Sequence, residues 1–173
     1  MSEPVDALVV GVGNVLHGDD GFGIALAHRL QGRENLPTSC KVIETGIGGM
    51  SLIQEVMAGC ERLLILDAYR KGGAPGTLYL LEPQLPDLGS LDPHARRAYF
   101  ADTHYATPAR ALSLLQHLQR LPAIVHVLGC EPEALDDLHW GLSPAVHSAL
   151  DRAEIMVCNW LAHRDDVHAT PSG

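Results

Sequence analysis

The chain has 173 residues, 46% of them hydrophobic, which is enough for one domain with a substantial core. Its formal net charge is −9, from 12 basic and 21 acidic side chains, and without a Lys/Arg cluster this excludes nucleic-acid binding. The sequence begins with acidic residues, which a secretory signal does not. It also has no apolar run of about 18 residues that would predict a membrane span, so we expect a cytoplasmic protein. The cysteines form no C-x-x-C pair, and we expect them to be small buried hydrophobic residues: Cys40, Cys60, Cys130 and Cys158.

Five short apolar segments predict the strands of a sheet. The first is continuously apolar and runs into glycines, as a strand buried on both faces does. The third is apolar up to its last residue, Asp67, and Pro83 follows the fourth. In chain order, the predicted strands are residues 7–12, 41–44, 63–67, 77–81 and 123–128.

Amphipathic segments between the strands predict helices. Asp19-Asp20-Gly21 opens the first, and the second covers residues 50–57. Thr107-Pro108 and Ser143-Pro144 each place a capping hydroxyl before a proline, which predicts the starts of two further helices. Residues 83–106 are polar and interrupted by prolines, so we expect a long loop without regular structure there.

The alternation of strands and helices predicts an α/β fold, a twisted and mostly parallel five-stranded sheet with helices on both faces. Only residues 68–76 join the third and fourth strands. This link is too short for a crossover helix, so the fourth strand is expected to be an antiparallel neighbour of the third and to lie at the edge of the sheet. We predict a single domain over residues 1–162 and a flexible polar tail over residues 163–173.

Sites in open α/β sheets form beyond the carboxyl ends of the strands, and acidic residues stand at three of these ends: Glu44, Asp67 and Glu131. The glycines after the first strand suggest a nucleotide-binding G-x-G-x-x-G motif. However, Leu16 replaces the third glycine, and Asp19 and Asp20 stand where the phosphate would bind. A nucleotide site is therefore rejected.

Acids in the first turn of a helix complement its dipole, and this would explain both Asp19 and Asp20. For Asp20 a second explanation is open, because Asp67 ends the next strand at the same edge of the sheet. Two carboxylates and one imidazole would form a site for a divalent transition-metal ion.

Ten histidines compete for the imidazole position, and their spacing does not choose among them. His17, His94 and His104 lie in loops that could reach the edge, and His139 lies in a weaker position in another loop. His126 falls inside a strand, where a lone histidine is expected to be a hydrogen-bonded core residue. The other five are expected on the surface or in the tail.

Five segments, in order along most of the chain, resemble the hydrogenase maturation endopeptidases. VVGVGNVLHGDDGFG (residues 9–23) is similar to their opening motif, an apolar strand followed by G-x-G-N and then D-D/E-x-x-G. RLLILDA (residues 62–68) resembles their second motif, and Asp102-Thr103-His104 resembles their S/T-x-H motif before an apolar helix. GCEP (residues 129–132) and GLSPAV (residues 141–146) resemble their G-x-x-P and G-L-[ST]-P-x-V segments.

The resemblance implies that Asp20, Asp67 and His104 are the residues that contact the metal and carry out catalysis. The sequence departs from the family pattern at Glu44-Thr45-Gly46, where the family usually has Asp-Gly-Gly. That region is associated with partner choice, so we predict that these three residues recognise the substrate. Asp92-Pro93-His94 mimics the histidine motif ten residues earlier, which keeps His94 as a rival to His104.

The resemblance also implies an endopeptidase that removes the C-terminal extension of a [NiFe]-hydrogenase large-subunit precursor after nickel insertion. The nickel ion comes with this partner, held by cysteines of the precursor, and no organic cofactor, nucleic acid or membrane is expected to take part. Nickel could polarise the scissile carbonyl, lower the pKa of an attacking water, or serve as a checkpoint while Asp20 or Asp67 is the general base. Two other functions stay open, a metal-dependent hydrolase with its own bound ion and a non-catalytic maturation chaperone.

Overall fold

A five-stranded sheet forms the centre of the fold, in the order β2-β1-β3-β5-β4. The computed structural model describes residues 4–46, 49–101, 107–135 and 138–163. The strands are β1 (Val5–Val12), β2 (Cys40–Gly46), β3 (Cys60–Ala68), β4 (Leu78–Leu81) and β5 (Ile124–Cys130). The α-helices within the described residues are α1 (Phe22–Gln31), α2 (Gly49–Ala58), α3 (Pro93–Ala101), α4 (Pro108–His117) and α5 (Pro144–Ala162). None of these helices has both the length and the apolar character needed to cross a membrane.

The strand directions confirm the predicted mixed sheet. β1 pairs in parallel with β2 and β3, and β3 pairs in parallel with β5. β4 is antiparallel to β5 at the edge of the sheet. The short link between β3 and β4 suggested that these two strands would be neighbours, but β5 lies between them. The chain passes through α3 and α4 before β5 enters that position.

Helices cover both faces of the sheet, as predicted. Successive side chains of a strand point to opposite faces, so β1 and β3 contribute to two separate apolar layers. Val9 and Leu64 belong to the layer that includes α1 and α5. Leu8 and Ile65 belong to the layer that includes α2 and α4. All four side chains are buried, which explains why the central strands are apolar without interruption.

The predicted starts of the last two helices are confirmed. The Thr107 hydroxyl accepts a hydrogen bond from the N–H of Arg110, and Pro108 is the first residue of α4. The Ser143 hydroxyl accepts from the N–H of Val146, and α5 follows in the same way. Each cap satisfies an N–H group that has no partner within its own helix.

The prediction of an irregular loop over residues 83–106 is wrong, because α3 lies within it. Asp92 Oδ1 accepts hydrogen bonds from the N–H groups of His94 and Ala95, at 2.8 and 2.9 Å. Pro93 then occupies the first helical position. This is the capping arrangement that correctly predicted α4 and α5, with an aspartate in place of the hydroxyl residue.

Two further predictions concern the start of the first helix and the position of His126. The first helix does not begin at Asp19, because residues 18–21 form a 3-10 turn and α1 starts at Phe22. His126 is a buried core residue as predicted, and its Nδ1 accepts a hydrogen bond from the Trp160 indole at 3.2 Å.

Of the four cysteines, all of which are free, only Cys130 is buried, so the expectation of burial is wrong for the other three. Cys40 and Cys60 are the first residues of β2 and β3 and are only partly buried. Burial nevertheless raises the pKa of both thiols to about 11. A protonated thiol is a poor nucleophile, so neither residue is suited to nucleophilic catalysis.

Candidate active site at the carboxyl end of the sheet

Asp20 and Asp67 line the same cavity, which has a volume of about 850 Å³. Asp67 is the last residue but one of β3, and Asp20 lies in the 3-10 turn that follows β1. β1 and β3 are parallel neighbours, so their carboxyl ends meet at one edge of the sheet. The fold thus brings together two of the three predicted site residues.

Two glycines allow this turn to pack closely against the sheet. A Cβ on Gly13 would collide with the carbonyl oxygen of Asp20, and a Cβ on Gly23 would collide with the carbonyl oxygen of Leu66. Gly13 also has a φ of +137°, a conformation that favours glycine. Gly13, the second glycine of the G-x-G pattern, and Gly23 therefore serve close backbone packing next to the acidic pair.

The carboxylate of Asp20 is held by its own loop. Asp20 Oδ2 accepts a hydrogen bond from the N–H of Asn14 at 2.8 Å. The side-chain oxygen of Asn14 in turn accepts from the N–H of Leu16 at 3.0 Å. These two bonds close residues 14–20 into a compact loop, which fixes the position of Asp20 at the cavity.

The charged form of Asp67 is disfavoured by its surroundings. Burial, and after it the negative charge of Asp20, raises the pKa of the Asp67 carboxyl from 3.8 to about 7. A hydrogen bond from the N–H of Ala68 favours the charged form but has the smaller effect. A cation placed between the two carboxylates would relieve both their repulsion and the cost of burying Asp67.

The rest of the cavity is largely apolar. Its lining includes Leu81 at the end of β4, Leu85 in the following segment and Leu112 of α4. Among the described lining residues, Lys71 is the single basic one. An acidic pair beside an apolar groove suits a polypeptide segment with apolar side chains that crosses the carboxylates.

Asp19 has a role different from that of its neighbour Asp20. It is only 2% exposed, and its Oδ1 accepts a hydrogen bond from the N–H of Ser143 at 2.7 Å. Its Oδ2 accepts from the N–H of Glu133 at 2.8 Å and from the Ser143 hydroxyl at 2.9 Å. Asp19 therefore stabilises the N-terminus of α5 and not that of α1, and it connects the turn to the segment after β5.

Glu131, the acid after β5, also has structural partners. It is 3% exposed and accepts hydrogen bonds from the N–H groups of Lys71 and Gly72 and from the Tyr79 hydroxyl, at 2.8, 3.1 and 3.0 Å. Burial alone would raise the pKa of Glu131, but these hydrogen bonds hold it below its usual value. Glu131 fixes the link between β3 and β4.

The comparisons with known proteins identify the family of the chain. A family model described as hydrogenase maturation protease (HycI) matches residues 24–160. The chain belongs to the hydrogenase maturation protease family. Members of this family are peptidases, and the matched range contains Asp67 but begins after Asp20.

Several relatives of this maturation protease are similar over most of their length. The hydrogenase 2 maturation protease of Escherichia coli is 33% identical over 150 residues, covering 84% of this chain and 84% of that protein. The hydrogenase expression/formation protein HoxM of Cupriavidus necator is 31% identical, covering 88% of this chain and 74% of that protein. The hydrogenase maturating endopeptidase HybD from E. coli has a TM-score of 0.74 and 31% identity, covering 91% of this chain and 93% of that chain.

The predicted histidine of the maturation protease, His104, lies outside the described residues, so its place in the site stays a prediction. Thr107, three residues later, lines the cavity. The rival His94 is exposed in the first turn of α3 and does not line the cavity. His17 and His139 form a backbone bridge with each other, and neither residue lines the cavity. Within the described ranges, no group of three His, Cys, Asp or Glu side chains could hold a metal ion.

The predicted recognition residues of the protease lie at the carboxyl end of β2. Gly46 pairs with Val12 of β1, and its carbonyl oxygen accepts a hydrogen bond from Gly13 at 3.2 Å. The exposed carboxylate of Glu44 lies 2.5 Å from His28 Nε2. Glu44, Thr45 and Gly46 thus share the edge of the sheet with the acidic pair but do not line its cavity. Their role in substrate recognition stays a prediction.

Proposed function

We propose that the protein removes the C-terminal extension of a [NiFe]-hydrogenase large-subunit precursor after nickel insertion. The precursor-bound nickel is the recognition element. The observation that carries the proposal is the shared cavity of Asp20 and Asp67 in a chain of the maturation protease family. In this account the enzyme acts in the cytoplasm, without nucleic acid or membrane.

The donor set of the acidic pair supports a nickel ion that arrives with the substrate. Two carboxylates are too few to hold a transition-metal ion as tightly as a four-ligand protein site does. They are suited to approach an ion that already has ligands in the precursor. Burial and the repulsion between Asp20 and Asp67 disfavour two negative charges, so the approach of a cation would be favourable.

We place His104 as the third group that contacts the nickel ion. Thr107 lines the cavity, and His104 precedes it by three residues, a separation of at most about 11 Å that would allow the imidazole to reach the acidic pair. An imidazole with two carboxylates is a reasonable donor set for a divalent transition-metal ion. Glu44, Thr45 and Gly46, one strand further along the same edge, would contact the precursor outside the metal site.

The apolar part of the cavity would receive the segment that contains the scissile bond. Leu81, Leu85 and Leu112 line it, and together with the acids they could bind an extended chain across the carboxyl ends of β1 and β3. The segment would then lie against Asp20 and Asp67, which would act on the peptide bond next to the nickel ion.

The proposal is tested by incubating the purified protein with candidate precursors prepared with and without nickel, followed by intact-mass measurement. We expect the loaded precursor to lose a C-terminal peptide and the nickel-free precursor to remain intact. Cleavage of both would remove the role of nickel in recognition. A complex without any loss of mass would indicate a chaperone, and a stoichiometric metal ion in the purified protein would indicate a hydrolase with its own ion.

A further inference from the structure

The structure presents a second surface beside the acidic pair, formed by four exposed apolar side chains. Val15 and Leu16 are 37% and 49% exposed, and Leu138 and Trp140 are 80% and 74% exposed. We call these four residues the apolar patch. A large exposed Trp and Leu at neighbouring positions are unusual on a protein surface and are typical of a binding site.

The two loops that carry the patch lie side by side. The N–H of His139 donates to the carbonyl oxygen of Leu16 at 3.0 Å, and the N–H of Gly18 donates to the carbonyl oxygen of His139 at 2.7 Å. These bonds form a parallel bridge, whose backbones lie about 5 Å apart. Leu16, Leu138 and Trp140 therefore belong to one continuous surface.

The patch is fixed to the turn that carries Asp20. The buried Asp19 binds the N–H groups of Glu133 and Ser143, which flank the loop containing Leu138 and Trp140. On the other side, the Asn14–Asp20 hydrogen bond closes the loop that carries Val15 and Leu16. An apolar surface held in place by backbone bonds loses little conformational entropy when it binds a partner.

We infer that the apolar patch docks the folded body of the large-subunit precursor, an inference that rests on the proposed function. The four residues lie outside the lining of the cavity that contains Asp20 and Asp67. A peptide segment bound in that cavity would therefore leave the patch uncovered. Because Val15 and Leu16 belong to the same short loop as Asp20, a folded substrate whose metal reaches Asp20 also meets the patch.

A cavity next to the apolar patch supports docking of the precursor there. A second cavity of about 370 Å³ opens between the same loops. Leu138, Leu142 and Pro144 line its apolar part, and its polar lining includes Asp19, Glu133 and Ser143. An apolar side chain of the precursor could fill it while Trp140 packs against the surrounding surface. Pairing of an aromatic anchor with a pocket is a common arrangement at the centre of protein interfaces.

The test compares Trp140→Ala and the Leu138→Ala/Trp140→Ala double variant with Ile155→Ala. Ile155 is an apolar control on α5 with 61% exposure, outside the patch. We expect equal melting temperatures, a KM for the loaded precursor at least about tenfold higher in the double variant, and an unchanged kcat. The control should change KM less than about twofold. Equal KM values for the control and the double variant would overturn the inference.

Binding is measured separately, by sedimentation of each variant with loaded precursor in an Asp67→Asn background that prevents turnover. Patch-dependent binding without cleavage by the wild-type protein would contradict the proposed function but support docking. Cleavage with no effect of the patch substitutions would contradict docking alone, and an absence of both binding and cleavage would contradict both. A wild-type dimer that Trp140→Ala dissociates would show that a second copy covers the patch, which would also overturn the inference.

Discussion

Asp67 and Asp20 come from different elements, yet they share one electrostatic environment. Burial of Asp67, and then the negative charge of Asp20, raises the pKa of the Asp67 carboxyl from 3.8 to about 7. The pair is therefore poorly stabilised by the protein itself. This is the property expected where carboxylates are placed to meet a cation or a proton of the substrate.

The raised pKa of Asp67 predicts how stability depends on pH. Between pH 3.8 and about 7 the folded state keeps a proton that the unfolded state releases, so stability falls as pH rises. Above this range the loss is complete. This pKa shift corresponds to a loss of at most about 4 kcal/mol in the free energy of unfolding. Contact of Asp67 with solvent reduces the expected loss to about 1–2 kcal/mol.

Asp67→Asn should remove the loss of stability that ionisation of Asp67 causes at high pH. We expect the variant to be more stable than the wild-type protein at pH 8 and similar to it near pH 4, measured by urea unfolding at both values. Glu61→Gln is the control, since it removes one negative charge from an exposed position at the other end of β3. An equal gain from Glu61→Gln would mean that net charge, and not the site, causes the effect.

Gly13→Ala should destabilise the fold beyond the cost of its backbone conformation. Gly72 also has a positive φ, of +90°, but its Cβ would point into open space, whereas a Cβ at Gly13 would meet the Asp20 carbonyl. We expect Gly72→Ala to cost about 1–2 kcal/mol and Gly13→Ala about 3 kcal/mol or more. Chemical denaturation measures both. Equal costs would show that close packing of the turn is unimportant.

Substitutions of the adjacent residues Asp19 and Asp20 should affect stability and activity differently. Asp19→Ala leaves the N–H groups of Glu133 and Ser143 without their acceptor, and we expect a loss of about 3 kcal/mol. Asp20→Ala removes one hydrogen bond from Asn14, and we expect a loss of about 1 kcal/mol together with loss of cleavage. Melting curves beside a cleavage assay distinguish the two, and the reverse pattern would exchange their roles.

The two histidine candidates should differ in activity. His94 is exposed on α3 and does not line the cavity, so His94→Ala should cleave the loaded precursor at nearly the wild-type rate. His104→Ala should reduce the rate at least about 100-fold if this residue completes the site. Single-turnover cleavage measures both rates, and a larger loss from His94→Ala would show that the wrong histidine was chosen.

Local patterns predicted much of the fold. The apolar runs located all five strands, most clearly β1 and β3, whose central residues are buried, and the hydroxyl–proline pairs located α4 and α5. The same capping arrangement, with Asp92 in place of the hydroxyl residue, precedes α3 but was not recognised in the sequence. The prediction also missed that β5 separates β3 from β4, since the order of strands depends on contacts between distant segments.

The site could be predicted only where its residues belong to recognisable motifs. Asp67 lies near the end of β3, and Asp20 lies in the turn after its parallel neighbour β1, so their meeting follows from the sheet. The role of Asp19 could not be inferred, because its partners Glu133 and Ser143 lie 114 and 124 residues away. The apolar patch was missed for the same reason, since a bridge between distant loops creates it.

The role of Asp67 in the active site is tested most directly by cleavage of nickel-loaded precursor by the Asp67→Asn variant, with its melting temperature measured at the same pH. We expect a fold at least as stable as the wild type at pH 8 and a cleavage rate lowered at least about 100-fold. Cleavage within a few-fold of the wild-type rate, or a melting temperature far below that of the wild type, would contradict the assignment of Asp67 to the active site.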